Sequence, residues 1–493
     1  MKSEILHEIC IGGHFMKNLV MGVATGYDWY KLEPFVTSFN RYVKNADLVL
    51  FVDNISDFTR DALIRGGVEL LPVPDELKSA LIIDARWAMY KKFLDEHNED
   101  YRQVFVADTR DVIFQGDVFE TYSDYENFLG YTTEGLTIKN SFEKFTYTWI
   151  TNLRGNDEAE KLGNEKIICC GTVLGTTNEI KYLAEMMWDI LKNGSTPGDE
   201  QGAMNYLVYE NLLDIKNIVE IDCHTGNIFT AFLFHVVNPT KVSADKILRG
   251  DGGIPAVVHQ YDRQPNLVQL VNNLYRDKDF QPNENFNDPR SIFEQIFHLE
   301  TLGKIDDAYK LYTKYSSEID WDKYAGNLSK ICNLMAKSEK LDETYKFFVK
   351  NLHGKNLAGY ADLISLWEIL INKKITPTSE LLMLSIQNAL MSTGGNGFHL
   401  GHINQIVSLT NFCMKNHLVV SYPFKMFLGN ILFNLANHMH DAKNYDRCIN
   451  CLNFMAELEI PLDQNFYLFK AKIYREAGKK SEALSAYEKA LNI

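Results

Sequence analysis

The sequence predicts an α/β sandwich of the nucleotide-binding kind, followed by an all-α helical-repeat solenoid. Three observations predict it. The stretch Gln103-Val-Phe-Val-Ala-Asp-Thr-Arg-Asp-Val-Ile-Phe-Gln115 opens as a buried strand and then presents two carboxylates, Asp108 and Asp111, around Arg110. Asp is disfavoured in strands and costly to bury alone, so acids at the carboxyl end of a core strand mark a metal or phosphate site in an open α/β sheet. Strand-like and helix-like segments alternate up to about residue 275. From about residue 286 strand signals stop and helical periodicity takes over.

The 493 residues exceed one ordinary core, so two or three domains are expected. We read 1–16 as a leader, 17–285 as the α/β domain and 286–493 as the repeat domain. A net charge of −15 leaves no basic excess to neutralise phosphates, which argues against nucleic acid as the main partner. No apolar run is long enough to span a membrane, and the first 16 residues lack the apolar core of a signal peptide. The sequence therefore predicts a cytoplasmic protein, peripheral to the inner face of a membrane if its acceptor is lipid-linked. The eight cysteines are thinly spread and fit a reducing compartment. Cys448 and Cys451 form a C-x-x-C on a helix with no second pair, which reads as helix packing rather than zinc.

In chain order, the first strand is expected over 18–24, ending in the turn Thr25-Gly26-Tyr27-Asp28-Trp29-Tyr30, which feeds a helix. Such strand–turn–helix junctions offer free backbone N–H groups to phosphates. Without Gly-x-Gly-x-x-Gly, dinucleotide binding is not indicated. Tyr27 and Tyr30 offer stacking faces for a base and serve equally well as packing aromatics. Further strands are expected over 47–52 and 68–73, the second ended by Pro74. A helix over 79–97 follows, with Leu81, Ala85, Ala88, Met89 and Phe93 on its apolar side. Arg86 sits among them, either reaching a diphosphate with a bidentate contact or lying on the polar side.

After the acidic strand, a strand over 128–133 ends at Glu134. Residues 142–165 are mixed and polar, as a flap over a site would be. Ile167-Ile-Cys-Cys-Gly-Thr-Val-Leu-Gly175 reads as a buried strand, with Gly171 marking a close approach. A helix over 178–191 leads to the loop Gly198-Asp-Glu-Gln-Gly-Ala-Met-Asn205, whose acids either cap the next helix or face the first acidic cluster. An apolar strand then runs into His259. A lone His is usually structural, but beside Asp108 and Asp111 a neutral imidazole becomes a ligand for a divalent metal.

The order of these parts resembles a glycosyltransferase of the GT-A fold, over about residues 17–275. Asp108-Thr-Arg-Asp111 resembles that fold's D-x-D motif with one extra residue between the acids. Glu200-Gln-Gly-Ala-Met-Asn205 is similar to the D-Q-x-x-L-N loop of the glycogenin-like family 8 enzymes, with Glu in place of Asp. His259 resembles their distant third metal ligand, although Gln260-Tyr-Asp-Arg263 departs from their lysine-containing tail. A sister family is implied. The resemblance implies transfer of a sugar from a nucleotide sugar, a UDP-sugar by analogy, to a glycan or protein acceptor. It implies Mn²⁺ or Mg²⁺ on Asp108, Asp111 and His259, and a donor site that includes Thr25, Gly26, Tyr27, Tyr30, Arg86, Asp108, Arg110 and Arg263. Asp199 or Glu200 is the base an inverting enzyme needs. Gln201 is the side chain that a retaining enzyme would place under the anomeric carbon, and the likeness of the loop tips the reading to retention.

In the second region, the segment around Ala308 aligns with that around Thr344 at a spacing of 36, and the segment around Cys448 with that around Ala483 at 35. Helical pairs of the tetratricopeptide type repeat at about 34 residues. Gly303 and Gly478 suit the turns before aligned helices, and 375–418 is degenerate. Such arrays present a groove for a protein or peptide, or a face for self-association, or simply extend the catalytic domain. Two other functions fit the same parts: a repeat scaffold with a non-catalytic transferase-like domain, and a sugar nucleotidyltransferase. The absence of a Gly-rich basic phosphate loop counts against the latter.

Overall fold

The computed structural model describes residues 16–193, 196–233, 236–283, 285–286, 288–317, 319, 327–340, 343, 346, 410–411, 414–415, 422–441 and 443–493. Residues 1–15, Thr344 and most of 375–418 lie outside the described residues. The chain divides into two compact units, to Lys304 and from Ile305.

The first unit is built on a seven-stranded mixed sheet. Its strands are β1 (Lys17–Thr25), β2 (Ala46–Asp53), β3 (Glu69–Pro72), β4 (Tyr101–Ala107), β6 (Phe128–Thr137), β7 (Lys166–Thr176) and β8 (Asn217–Ile221), in the order β3-β2-β1-β4-β7-β6-β8. All neighbours pair in parallel except at β7, which runs antiparallel to both β4 and β6. The single stretch 103–115 supplies two strands. After β4 the chain leaves the sheet, and β5 (Val112–Phe114) joins β9 (Ile228–Thr230) and β10 (Val257–His259) in a separate three-stranded sheet. Asp108 to Asp111 are the crossing between the two sheets.

Strand alternation divides the core. Leu19 and Met21 of β1, and Val104 and Val106 of β4, face one cluster with Trp87, Tyr90, Met187 and Met204. Val20, Ala24, Phe105 and Ala107 face the other, with Leu32, Phe35 and Phe39. Helices thus cover both faces: α1 (Trp29–Tyr42) on one, α3 (Ile82–Glu96), α6 (Thr177–Leu191) and α7 (Asp199–Tyr209) on the other. Period-2 patterning with both faces apolar is what a sheet buried on two sides requires.

The polar stretch 142–165 is helical rather than a flap. It contains α4 (Phe145–Arg154) and α5 (Asn156–Lys161), and Ile150, Ala159 and Leu162 form a small core with Ile138 and Ile167. The expected loop 198–205 is likewise the first two turns of α7. Asn205 fastens those turns to β7: its side chain accepts from Ile168 N at 2.9 Å and donates to Ile168 O and Gln201 O.

Two further helices, α8 (Pro265–Tyr275) and α9 (Pro289–Thr301), close this unit. α9 follows the expected boundary at 285, yet its Glu294 is buried against the N-terminus of α2 (Asp57–Arg65), accepting from the hydroxyls of Ser56 and Thr59 and from Arg290 Nε. Burial and the neighbouring Asp28 push the Glu294 carboxyl up to about 7, against the pull of those hydroxyls.

The described part of the second unit is all helical: α10 (Ile305–Tyr315), α11 (Leu328–Lys337), α12 (Tyr422–Asp441), α13 (Tyr445–Glu457), α14 (Gln464–Glu476) and α15 (Lys480–Leu491). α12 packs on α13 and α14 on α15. Gly303 and Gly478, with φ of 76° and 77°, end α9 and α14 in the same left-handed turn, which any side chain would strain. Ala483, Ala486 and Ala490 form the buried stripe of α15, and Cys448 is buried in α13 as a free thiol beside Cys451. No helix among the described residues is long and apolar enough to cross a membrane.

Candidate active site

The strand order 3-2-1-4 makes the chain reverse direction of growth between β1 and β4. Ligands of open α/β sheets bind outside the carboxyl ends of the strands at such a switch. Gly26 (following β1) and Asp108 (following β4) lie at those ends. Thr109 Oγ1 donates to Val23 O at 2.8 Å, and Asp108 N to Gly171 O at 2.8 Å, so the acidic crossing is held to both neighbouring strands.

Three ligand-bearing side chains meet here from separate elements. His259, at the end of β10, has its Nε2 3.7 Å from Asp108 Oδ2 and 3.9 Å from Asp111 Oδ1. One ligand atom from each of the three lies within 4.8 Å of the others. His259 is 1% exposed and Asp111 4%, and Nε2 is a buried atom without a hydrogen-bond partner among the described residues. A buried orphan nitrogen facing two carboxylates is what a cation ligand set looks like before the cation arrives. Burial works to lower the imidazole, yet Cys169, Asp108 and Asp111 outweigh it and raise His259 well above its ordinary value. The same field that favours a proton at Nε2 favours a metal ion in its place. Partial burial likewise works against the charge on Asp108, but Arg86 and His259 hold that carboxyl below the ordinary carboxylate range.

A bulge in β7 makes the room. Thr132 of β6 pairs with Cys169 and Tyr131 with Val173, so Cys170, Gly171 and Thr172 face a single step of β6. A Cβ at Gly171 would sit 2.6 Å from His259 Cε1 and 2.7 Å from Asp108 Oδ2. The close approach expected of this glycine is therefore to the acid–imidazole cluster itself.

Arg86, 5% exposed, is the hub behind the cluster. It donates from Nη1 to Asp108 at 2.7 Å, from Nε and Nη2 to the two oxygens of Glu200 at 3.1 Å each, and from Nη2 to Cys170 O. Its hydrogen-bonding edge is committed to protein carboxylates, neither lying on a polar helix side nor reaching outward. Trp87 Nε1 adds a bond to Glu200, whose carboxyl burial pushes up to about 7 despite Arg86. Asp199 accepts from Thr196 N and Asn152 Nδ2, inside the turn that starts α7. Gln201 lies one residue beyond Glu200, with its Nε2 buried.

On the other side, Arg263 Nη1 reaches Asp111 at 2.7 Å and Arg110 Nη2 lies 3.4 Å from Asp262. Tyr27 is close enough to Arg110, Asp108, Asp111 and Arg86 to feel their charges, while burial raises its phenol. Thr25 ends β1. Tyr30 lies in α1, its carbonyl accepting from Arg276, farther along than Tyr27. The structure therefore gathers Tyr27, Arg86, Asp108, Arg110, Asp111, Glu200, His259 and Arg263. Sequence reasoning missed Glu134. It is 3% exposed, with the Cys169 thiol and the Gln201 amide beside its carboxyl, and burial pushes it up to about 7 against the charges of His259 and Arg263. A single acid ending a buried strand was its only signal.

No family model and no curated protein matches the sequence. Among solved structures, the chain is similar to the apo form of the bifunctional glycosyltransferase WbbM, with a TM-score of 0.35 and 12% identity over 54% of this chain and 51% of that one. It is similar to glucosyl-3-phosphoglycerate synthase from Mycobacterium tuberculosis in complex with Mn²⁺, UDP and glucosyl-3-phosphoglycerate, with a TM-score of 0.27 and 14% identity over 42% and 70%. It is also similar to the glycosyltransferase GlyE of Streptococcus pneumoniae, with a TM-score of 0.29 and 12% identity over 62% and 64%. The chain spans about half the length of the first of these.

Proposed function

We propose that this protein is a metal-dependent glycosyltransferase that moves a sugar from a nucleotide sugar, a UDP-sugar by preference, to a glycan or protein acceptor. The observation that carries the reading is the convergence of Asp108, Asp111 and the orphan Nε2 of His259 at the switch point of the sheet. Two carboxylates and an imidazole suit Mn²⁺, or Mg²⁺ with its more oxygen-rich preference. When bound there, the ion would supply Lewis-acid stabilisation of the departing nucleoside diphosphate.

The chain's own residues divide the remaining work. Arg263 and Arg110 border the acids from the outer side and can turn to diphosphate oxygens. Arg86 positions Asp108 and Glu200 rather than touching the donor. Tyr27 presents its ring where the carboxyl ends of β1 and β4 meet, a fitting place for a base. Asp199 is engaged by Thr196 and Asn152, and Glu200 by Arg86 and Trp87. Both carboxylates are engaged within the protein, which speaks against either as the base that an inverting reaction requires. This favours retention, with Gln201 as the side chain beside the anomeric centre and the family 8 enzymes as a sister family. The paired helices of the second unit serve as a tetratricopeptide-type surface for a partner, an acceptor or a second copy.

Binding and slow hydrolysis of a panel of nucleotide sugars tests this, with Mn²⁺ and with chelator, for wild type and Asp111→Asn. Metal-dependent binding of one donor, with hydrolysis lost in the variant, is expected. No binding of any donor would overturn it and leave the second unit's partner as the function to find.

A further inference from the structure

We infer that Cys169 and Glu134 are positioning residues for the metal centre: the Cys169 sulfur accepts the Nδ1–H of His259 while Glu134 takes the proton of the thiol, so that Nε2 is kept for a cation. This rests on the metal-ion reading above and deepens it.

The two nitrogens of the His259 ring stand in different settings. Nε2 is buried, has no hydrogen-bond partner among the described residues, and faces Asp108 and Asp111 at 3.7 and 3.9 Å. Nδ1 lies 3.8 Å from Cys169 Sγ, within reach of a hydrogen bond to sulfur. The partner of one ring nitrogen decides whether the other is free to bind a metal. The question of which nitrogen serves as ligand is therefore settled at the sulfur.

Two more groups meet that sulfur. The Gly171 amide donates to it at 3.4 Å, inside the bulge where β7 leaves its ladder with β6. The Glu134 carboxyl, from β6, is hydrogen-bonded to the thiol. A backbone N–H can only donate, and a carboxylate can only accept. The thiol has one proton to give, and Glu134 takes it. Toward Gly171 and His259 the sulfur is then an acceptor, so the imidazole must offer its proton from Nδ1. Cys169, Glu134 and His259 are all buried, which leaves little water to compete for these bonds. Metal-ligating histidines commonly hand their second N–H to a carboxylate or a carbonyl. Here a thiol stands between the ring and the carboxylate. The neighbouring Cys170 has no part in this, because its Sγ donates to Glu200 O at 3.5 Å on the other face of the strand.

The test measures Mn²⁺ binding to metal-free, full-length protein by calorimetry, and the protonation of the His259 nitrogens by NMR of protein labelled with ¹⁵N-histidine. His259→Gln identifies the His259 signals. The work is done at pH 8, above the value of about 7 to which burial pushes the Glu134 carboxyl. Wild type is expected to show Nδ1 protonated. Cys169→Ala removes a single heavy atom and should fold, yet weaken Mn²⁺ by roughly 10- to 100-fold. Cys169→Ser, which restores a group that both donates and accepts, should recover part of that loss. Glu134→Leu frees the thiol proton to turn toward Nδ1, so Mn²⁺ should bind more weakly and the Nδ1 signal should move toward the unprotonated position. The two Cys169 variants keep the test decisive if Glu134→Leu fails to fold. Mn²⁺ affinity of Cys169→Ala within about twofold of wild type, a serine variant as weak as the alanine one, or an unprotonated Nδ1 in wild type overturns this inference alone. Failure of wild type to bind Mn²⁺ overturns the metal-centre reading and this inference with it.

Discussion

Arg86 and Glu200 meet edge to edge, with Nε on one carboxylate oxygen and Nη2 on the other, each at 3.1 Å. The remaining nitrogen, Nη1, holds Asp108 at 2.7 Å. One planar guanidinium therefore fixes an acid of the ligand cluster and the acid that opens α7. A lysine carries the charge without the fork. Arg86→Lys is expected to fold, to lose at least about 10-fold in donor turnover, and to bind metal more weakly. Arg86→Ala, which strands two carboxylates, should lose roughly 3–5 kcal/mol of stability in denaturant unfolding. An alanine variant as stable as wild type would show that the fork is ornamental.

Asp111 is expected to be indispensable to turnover. Asp111→Asn keeps the shape and removes the charge that faces His259 and Arg263. Losing one such electrostatic contact to a departing group costs about 2.7–4 kcal/mol of barrier, or roughly 10²- to 10³-fold in rate. Hydrolysis of the preferred donor at saturating Mn²⁺ measures it, and a drop of less than about threefold would remove Asp111 from the ligand set.

Gly171→Ala tests the bulge. The new methyl would press on His259 and Asp108 together, at 2.6 and 2.7 Å. Far-UV circular dichroism should be unchanged while Mn²⁺ affinity, read by calorimetry, falls by roughly 10-fold or more. Unchanged affinity would mean that the cluster relaxes around the methyl or does not bind the ion.

The Glu294 carboxyl, ordinarily near 4.5, is pushed up to about 7 in the folded protein. The folded state then binds the extra proton, so this group's contribution is fully present below 4.5 and is lost as pH rises through about 7. Thermal unfolding should shift downward across that window, by roughly 2–4 °C for each kcal/mol lost. In Glu294→Gln this component of the slope should vanish. An identical slope in the variant would assign the effect to other buried acids such as Glu134 and Glu200, which are raised to similar values.

Much of the first unit was legible because its strands are apolar on both faces and end in turn residues. The strand expected over 47–52 is Ala46–Asp53, and that over 167–175 is Lys166–Thr176. Asp108 and Asp111 stood out because acids rarely follow a run like Val104–Ala107. His259 was legible only in their company, since nothing local distinguishes it from a buried structural imidazole. What escaped were features made by tertiary contact. Ile150, Ala159 and Leu162 are too widely spaced to reveal the core under α4 and α5. Residues 217–249 form strands of two to five residues, too short for periodicity to show. Glu134 gained meaning only when antiparallel pairing brought residue 169 beside it and α7 brought Gln201.

The three-residue bulge of β7 has a consequence for how this sheet tolerates change. β7 keeps an unbroken ladder with β4 from Gln103 to Ala107, while its ladder with β6 is interrupted at the bulge. The sheet thus has a seam. Strain introduced on the outer side, at β6 or the exposed edge strand β8, can be absorbed by the slack at Cys170–Thr172 before it reaches the acids. On the inner side, β4 stays in register with β7 from Gln103 to Ala107 and with β1 from Leu19 to Met21, so a displacement of β1 or β4 next to the acids is passed on to them. Insertions and register drift should therefore accumulate along the outer strands over evolutionary time, while the inner four stay fixed in length.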